Sequence, residues 1–263
     1  MKNKLLLLLF LLGVVFPLSA QESEVLISTS HTSLLLSTPQ GGELKFLYYG
    51  RKLTDADVHA VVSTESGSFS AYPVYGLNCP SESALSVQHE DGNMTLQMEV
   101  IGVETIHQEK ADLTVISLKD KVYPFYVKLC YKAYQDVDVI EAWTEISHKE
   151  KKNVKLNQFA SAYLPVRKGN VWLSSLYGAW ANEARLVQEP LEPGMKVIKN
   201  KDGVRNSHTA HAEVMFSLDG QPRENSGRVI GAALCYGGNY KLRIDTDESE
   251  FHHFYAGINE DNS

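Results

Sequence analysis

Cysteine, positive charge and helical periodicity are all scarce in this sequence, and each scarcity excludes a class of protein. Three cysteines in 263 residues, Cys79, Cys130 and Cys235, allow at most one disulfide and are spaced far from any zinc motif. At least two of them are expected as free, buried thiols. A formal charge of −7 makes nucleic acid a poor partner. Long apolar runs are absent except for Leu5 to Val15, which lies between Lys2 and Lys4 and the small residues Ser19 and Ala20. That run falls short of the roughly 20 residues a membrane span requires, and no cysteine follows Ala20 to take a lipid, so residues 1–20 read as a secretory signal peptide. Removing them leaves 243 residues with a charge of −9, enough for one large domain over 21–263. There is also no GxSxG elbow, HExxH pair or phosphate-cradling glycine loop.

What the sequence does contain is strand alternation. Phe125, Val127, Leu129, Tyr131 and Ala133 fall on one face, with Tyr126, Lys128, Cys130 and Lys132 on the other. Leu96, Met98 and Val100 alternate after the turn Asp91-Gly92-Asn93 as one arm of a hairpin. Ile140, Ala142, Thr144 and Ile146 alternate before the charged run 148–152, which reads as a solvated turn. Further turn signals stand at Gly41-Gly42, Gly169-Asn170, Asp202-Gly203, Asp219-Gly220 and Gly237-Gly238-Asn239. Many short strands at intervals of about 8 to 12 residues indicate an all-β sandwich or barrel. Ile230, Ala232 and Leu234 alternate, as do Tyr240, Leu242 and Ile244, so residues 226–248 predict a core hairpin with positive φ at its glycine turn. Residues 177–194, polar and proline-bearing, read as a long loop of functional or interface type, with Trp180 exposed.

Candidate chemistry is sparse. A glycosidase needs two carboxylates about 5 to 10 Å apart, one in a pocket that raises its pKa, and none of the 32 acids sits in a context that singles it out. His208 and His211 would need a helix to meet on one metal, whereas Val204 and Val214 around them suggest strand or turn; His252 and His253 face opposite ways on a strand. No metal site and no cofactor are expected. Asn93-Met94-Thr95 matches a glycosylation acceptor, although hairpin chemistry explains it as well. Trp180 and Tyr72, Tyr75, Tyr236 and Tyr240 can stack on sugar rings, against the simpler reading that tyrosines fill a β core.

Three segments together, "YPVYGLNCPSESALSVQHEDGNMTLQMEV", "SSLYGAWANEARLVQEPLEPG" and "VRNSHTAHAEVMFSLDGQPRENSGRVIGAALCYGGNYKLRIDTDES" followed by "YAGIN", closely resemble the N-terminal domain of family 36 glycoside hydrolases, the bacterial α-galactosidases. The resemblance runs from Val25 to the last residue, and its fold is a β-supersandwich. In the family that domain precedes a (β/α)8 barrel carrying an aspartate nucleophile and an aspartate acid/base, which together retain the anomeric configuration. The resemblance therefore implies that the catalytic carboxylates lie outside this sequence, that the chain is truncated before the barrel, and that alone it is inactive.

The partners implied are an α-galactosidase catalytic barrel in cis or in trans, galactosides, and further copies in a homo-oligomer of the full-length enzyme; nucleic acid and membrane are not expected. Location is secreted, in the periplasm if the host is Gram-negative. A family loop with Tyr-Gly-…-Gly-Asp-Phe-Arg reaches the active site and holds galactose through its aspartate. Aligned through Tyr75-Gly76 and Ala84-Leu85, this sequence has Asn78 and Cys79 at the Gly-Asp and Pro80 and Ser81 at the Phe-Arg. The carboxylate is missing, so either sugar recognition differs in this branch or the alignment shifts by a residue. Asn78 and Cys79 are thus the substrate-loop candidates and Trp180 the interface or sugar-stacking candidate; His211-Ala212 stand where many members carry Asn-Pro. The alternative reading is a stand-alone exported carbohydrate-binding module for galactosides.

Overall fold

A computed structural model of the chain describes residues 24–64, 69–76, 82–205 and 208–262. It opens with an antiparallel sheet of β1 (Glu24–Ser28), β2 (Thr32–Ser37), β3 (Lys45–Arg51) and β4 (Phe69–Ser70), in that order. Between β3 and β4 lies a ten-residue helix, α1 (Asp55–Thr64), in a stretch with no helical period in its apolar residues. Its cause is local: Asp57 accepts from both the N–H and the hydroxyl of Thr54 at 2.9 and 2.7 Å, and the Asp57 N–H returns to the Thr54 hydroxyl. This is a capping box built with aspartate.

After β5 (Leu85–Gln88) come β6 (Met98–His107), β7 (Ala111–Asp120), β8 (Phe125–Tyr134) and β9 (Val139–His148), a meander paired in sequence order. The predicted alternating face of β8 is buried from Phe125 to Ala133. The hairpin expected across Asp91-Gly92-Asn93 is not formed: His89 N–H closes the turn on Asn93, but β5 pairs with β10 (Lys155–Phe159) instead, and β6 turns into β7. The charged run 148–152 is not wholly solvated either. Glu150 is buried against His89, with Nδ1 to Oε1 at 2.8 Å, and that imidazole stacks on Tyr123 at 3.7 Å. The carboxylate's burial is compensated because it also accepts from the Glu90 N–H, while His89 Nε2 is buried without a partner among the described residues.

The second half adds β11 (Ala162–Lys168), β12 (Trp172–Ala179), β13 (Asn182–Pro190), β14 (Gly194–Lys199), β15 (Ala210–Ser217), β16 (Val229–Ala233), β17 (Tyr240–Thr246) and β18 (Phe251–Ile258). They form two sheets, ordered β11-β18-β17-β14 and β13-β12-β15-β16. Two expectations are corrected. Residues 177–194 are no loop: β13 pairs with β12 along its length, and its residues are nearly all exposed, which is why it shows no apolar alternation. Residues 226–248 are no hairpin: β16 pairs with β15 and β17 with β14 and β18, so the stretch crosses from one sheet to the other. Gly237 and Gly238 accordingly lack the positive φ of a tight turn, which Gly41, Gly92, Gly169, Gly203 and Gly220 do adopt.

Two cores result. The first lies among β1–β9, with Leu36, Leu85, Val87, Ile116 and Phe125 at its centre; the second lies between the two later sheets, around Leu173, Phe216, Leu242 and Ile244. The sheet of β11, β18, β17 and β14 is the wall between them. On β18, Phe254 and Ala256 face the second core while Tyr255 reaches the first, so the strand is buried on both faces. Its histidines are both engaged: His252 meets the Thr246 hydroxyl and the Gly169 carbonyl, and His253 meets Tyr163 Oη at 2.8 Å and Asp247. Of the described thiols, Cys130 is free and buried, whereas Cys235 is free but exposed. Leu5 to Val15 lie outside the described residues, among which no helix is long and apolar enough to cross a membrane.

Two outcomes follow for stability. Leu242→Ala is expected to cost about 2–5 kcal/mol, and both cores, followed separately through hydrogen exchange of the Ile116 and Leu242 amides, should melt in one transition; two resolved transitions would contradict the shared wall. Burial holds His252 below the usual imidazole pKa, outweighing its bond to the Gly169 carbonyl. The unfolded chain therefore binds the extra proton first, and stability should fall as pH drops below about 6.5. His252→Asn should flatten that slope in urea titrations between about pH 7 and pH 5.

Candidate functional site

The substrate-loop candidates fall in the sequence between β4 and β5, where only the departing limb up to Gly76 and the returning limb from Glu82 are described. Ala84 and Leu85 N–H both donate to the Pro73 carbonyl, and Tyr75 N–H donates to that of Leu85, so the chain leaves and returns through one neck. Gly76 continues outward with φ at +102°, where an added Cβ would stand 2.7 Å from Thr95; only glycine meets both conditions. Asn78 and Cys79, with the rest of 77–81, lie outside the described residues.

The returning limb is gripped by β17 and β18. Glu82 N–H donates to Asp245 Oδ2 at 3.1 Å, Tyr255 Oη donates to the Glu82 carbonyl, and the Ser83 carbonyl accepts from Arg243 Nη2 at 3.1 Å and Gln158 Nε2 at 2.8 Å. The Arg243 guanidinium lies 4.7 Å from the Tyr255 ring centroid, and the two residues are cross-strand neighbours. Arg243 is 7% exposed, so it is buried yet supplied with a carbonyl, an aromatic face and the Glu82 carboxylate at 3.7 Å. These anchors escaped the sequence reading because their strand was assigned one buried face. The signal was present: Arg243 and Asp245 alternate with Leu242 and Ile244, which in a strand buried on both sides puts polar groups to work on the second face.

Trp180 stands elsewhere, at the tip between β12 and β13, and is 82% exposed. Ala181 and Ala184 beside it take left-handed φ of 59° and 57°. An added Cβ on Gly178 would come within 2.6 Å of the Asn182 carbonyl and Glu183 Cα, so the hairpin closes only over glycine. Of the tyrosines, Tyr72 and Tyr240 are core residues; Tyr75 and Tyr236 are exposed. His208 is in a turn and His211 is in β15, next to Glu213.

The electrostatics do not resemble those of a glycosidase pair. Where carboxylates among the described residues have displaced pKa values, each lies below the usual range: Asp57 through the Thr54 N–H, Asp91 through that of Asn93, Asp138 through the Thr29 hydroxyl and Asp261 through the Lys241 ammonium. Burial resists ionisation of Asp247, but the Phe251 N–H and His253 outweigh it. A general acid needs the opposite displacement. Among the described residues no cluster of three or more histidine, cysteine or acidic side chains could hold a metal.

The profile of the glycosyl hydrolase family 36 N-terminal domain matches residues 42–263. Alpha-galactosidase of Lactobacillus acidophilus is 30% identical over 158 residues, 60% of this chain and 21% of its own length. Alpha-galactosidase AgaA of Geobacillus stearothermophilus is 24% identical over 203 residues, 72% of this chain and 28% of its own. The crystal structure of an alpha-galactosidase from Lactobacillus brevis superposes with a TM-score of 0.80 at 22% identity, covering 91% of this chain and 36% of that one. The raffinose complex of an AgaA variant gives 0.81 at 20% identity, covering 90% of this chain and 37% of that one. The chain thus spans between a fifth and two fifths of the length of these relatives.

The grip on the returning limb is testable. Asp245→Ala is expected to speed hydrogen exchange of the Glu82 amide by about tenfold or more, as for loss of a bond to a charged acceptor, while amides in β15 exchange as before. Unchanged exchange at Glu82 would remove Asp245 from the clamp.

Proposed function

This chain belongs to glycosyl hydrolase family 36 through that family's N-terminal domain, and on that premise we propose that it is the non-catalytic N-terminal part of a secreted α-galactosidase. In this reading it supports a catalytic barrel supplied by a longer polypeptide, and the hydrolysis of terminal α-galactosides belongs to that whole. The segment that bears Asn78 and Cys79 approaches the galactose site, with Cys79 where a carboxylate is expected. Trp180 makes an interdomain or intersubunit contact. Residues 1–20 direct export.

One observation carries the reading: the family domain accounts for residues 42–263, whereas the chain covers only 36% and 37% of the solved relatives it superposes on. Hydrogen bonds and a lysine hold the displaced carboxylates ionised, which suits a supporting domain and not an acid catalyst.

The test is the mass of the native polypeptide that carries this domain, measured by immunoblot and peptide mapping. A band well above 29.3 kDa, releasing nitrophenol from nitrophenyl α-galactoside, is the expected result. The isolated chain should release none. A native band at or below 29.3 kDa that binds melibiose in calorimetry would replace the proposal with a stand-alone galactoside-binding module.

A further inference from the structure

Outer strands are the reactive margins of a β protein, and natural sequences blunt them with charge or proline. In the four-stranded sheets, β1 carries Glu24, β6 Glu99 and Glu104, β9 Glu141 and Glu145, β11 Pro165, β13 three charges and Pro190, and β14 Lys196 and Lys199. Apart from the two-residue β4, only β16 has neither: its sequence is Val-Ile-Gly-Ala-Ala. The phase of its pairing is fixed at both ends, by Leu218 N–H to the Arg228 carbonyl and Leu234 N–H to that of Ala212. In an antiparallel ladder this turns the N–H and C=O of Ile230 and Ala232 toward β15 and those of Val229, Gly231 and Ala233 away from it.

The unblunted edge borders a cavity of about 1020 Å³. All of residues 230–236 line it, so residues of both alternating sets of β16 border the cavity. Across from β16 it is walled by β9 and β11, including Ile140, Trp143, Tyr163 and Leu164. At Gly231 an added Cβ would meet nothing within 4 Å. Among the described residues the lining contains three acids, Asp138, Glu141 and Glu213, and no lysine, arginine or histidine. Each acid has a local neighbour, respectively the Thr29 hydroxyl, the Tyr134 hydroxyl at 2.8 Å and His211 Nδ1 at 3.2 Å. Among the described residues of the lining, however, no cationic side chain answers them.

We propose that β16 is a strand-addition site whose occupant is an extended peptide segment with alternating apolar residues and flanking lysine or arginine. The free main-chain groups of Val229, Gly231 and Ala233 would supply a ladder, the apolar walls would take alternate side chains, and the three acids would select the flanking cations. An edge of small residues lets a second backbone approach, and the apolar cavity beyond it gives the added strand's side chains a place to go. The site stands whether or not the chain is part of an α-galactosidase.

The test uses the full chain and a synthetic peptide, acetyl-Lys-Val-Thr-Val-Thr-Val-Lys-amide, with glutamates replacing its lysines as the control. Calorimetry should show saturable binding, weaker for the acidic peptide by about tenfold or more, and hydrogen exchange should slow at the Val229, Gly231 and Ala233 amides. Ala233→Pro removes one outward donor without touching the ladder to β15 and is expected to weaken binding by about tenfold with little change in Tm. Gly231→Lys, for which there is room, should do the same by blunting the edge. Equal binding of both peptides, or binding indifferent to both variants, would overturn the proposal. So would a dimer of this chain that Ala233→Pro dissociates, since the occupant would then be a second copy. Tighter binding of a lysine-flanked helical peptide without slowing at the three amides would also overturn it.

Discussion

The constraint on which most of this structure depends is that one sheet serves two cores. A strand with solvent on one side can place any polar residue there, but β17 and β18 have no such side. Leu242, Ile244 and Phe254 face the second core, so Arg243, Asp245, His253 and Tyr255 must be satisfied on the other face by neighbours within the protein. They find those neighbours in Glu82, Ser83, Tyr163 and Asp247. Satisfying the wall's buried polar groups is thus the same act as holding the base of the loop through Asn78 and Cys79.

This coupling gives the chain its functional logic. The loop's neck is closed by backbone hydrogen bonds on the first-core side, and its returning limb is fixed by side chains from the wall. The returning limb, gripped in this way, is positioned by the fold at large. Trp180 is presented differently, on a hairpin tip shaped by Gly178 and two left-handed alanines, where exposure is set by local backbone geometry alone.

Legibility in the sequence followed burial. Strands with one buried face, above all Phe125 to Ala133 and Ile140 to Ile146, announced themselves by alternation. Strand β13 did not: it has no buried face to write a pattern, so it passed for a loop. The stretch 226–248 shows the limit of local reading, since its two alternating runs are real strands but pair with partners remote in sequence. Helix α1 was overlooked because it is short and mostly exposed, although Thr54 and Asp57 spelled its start. The resemblance pointed to the stretch that bears Asn78 and Cys79, which lies outside the described residues; the anchors of the limb returning from it required the observation that β17 is buried on both faces. Glu150 shows that a charge run can hide one buried member, distinguishable only once His89 is placed beside it.

The wall has a consequence for how the chain comes off the ribosome. β18 is the last strand among the described residues, yet it pairs with β11 and seals both cores, and Tyr255 reaches back 173 residues to Glu82. Vectorial synthesis cannot finish the first sandwich when its own strands emerge. That half must wait, with apolar surface uncovered, until residues 251–258 arrive. Completion of the fold is therefore gated by the end of this domain's translation, and a polypeptide stalled before β18 would present both cores open to aggregation and to proteolysis.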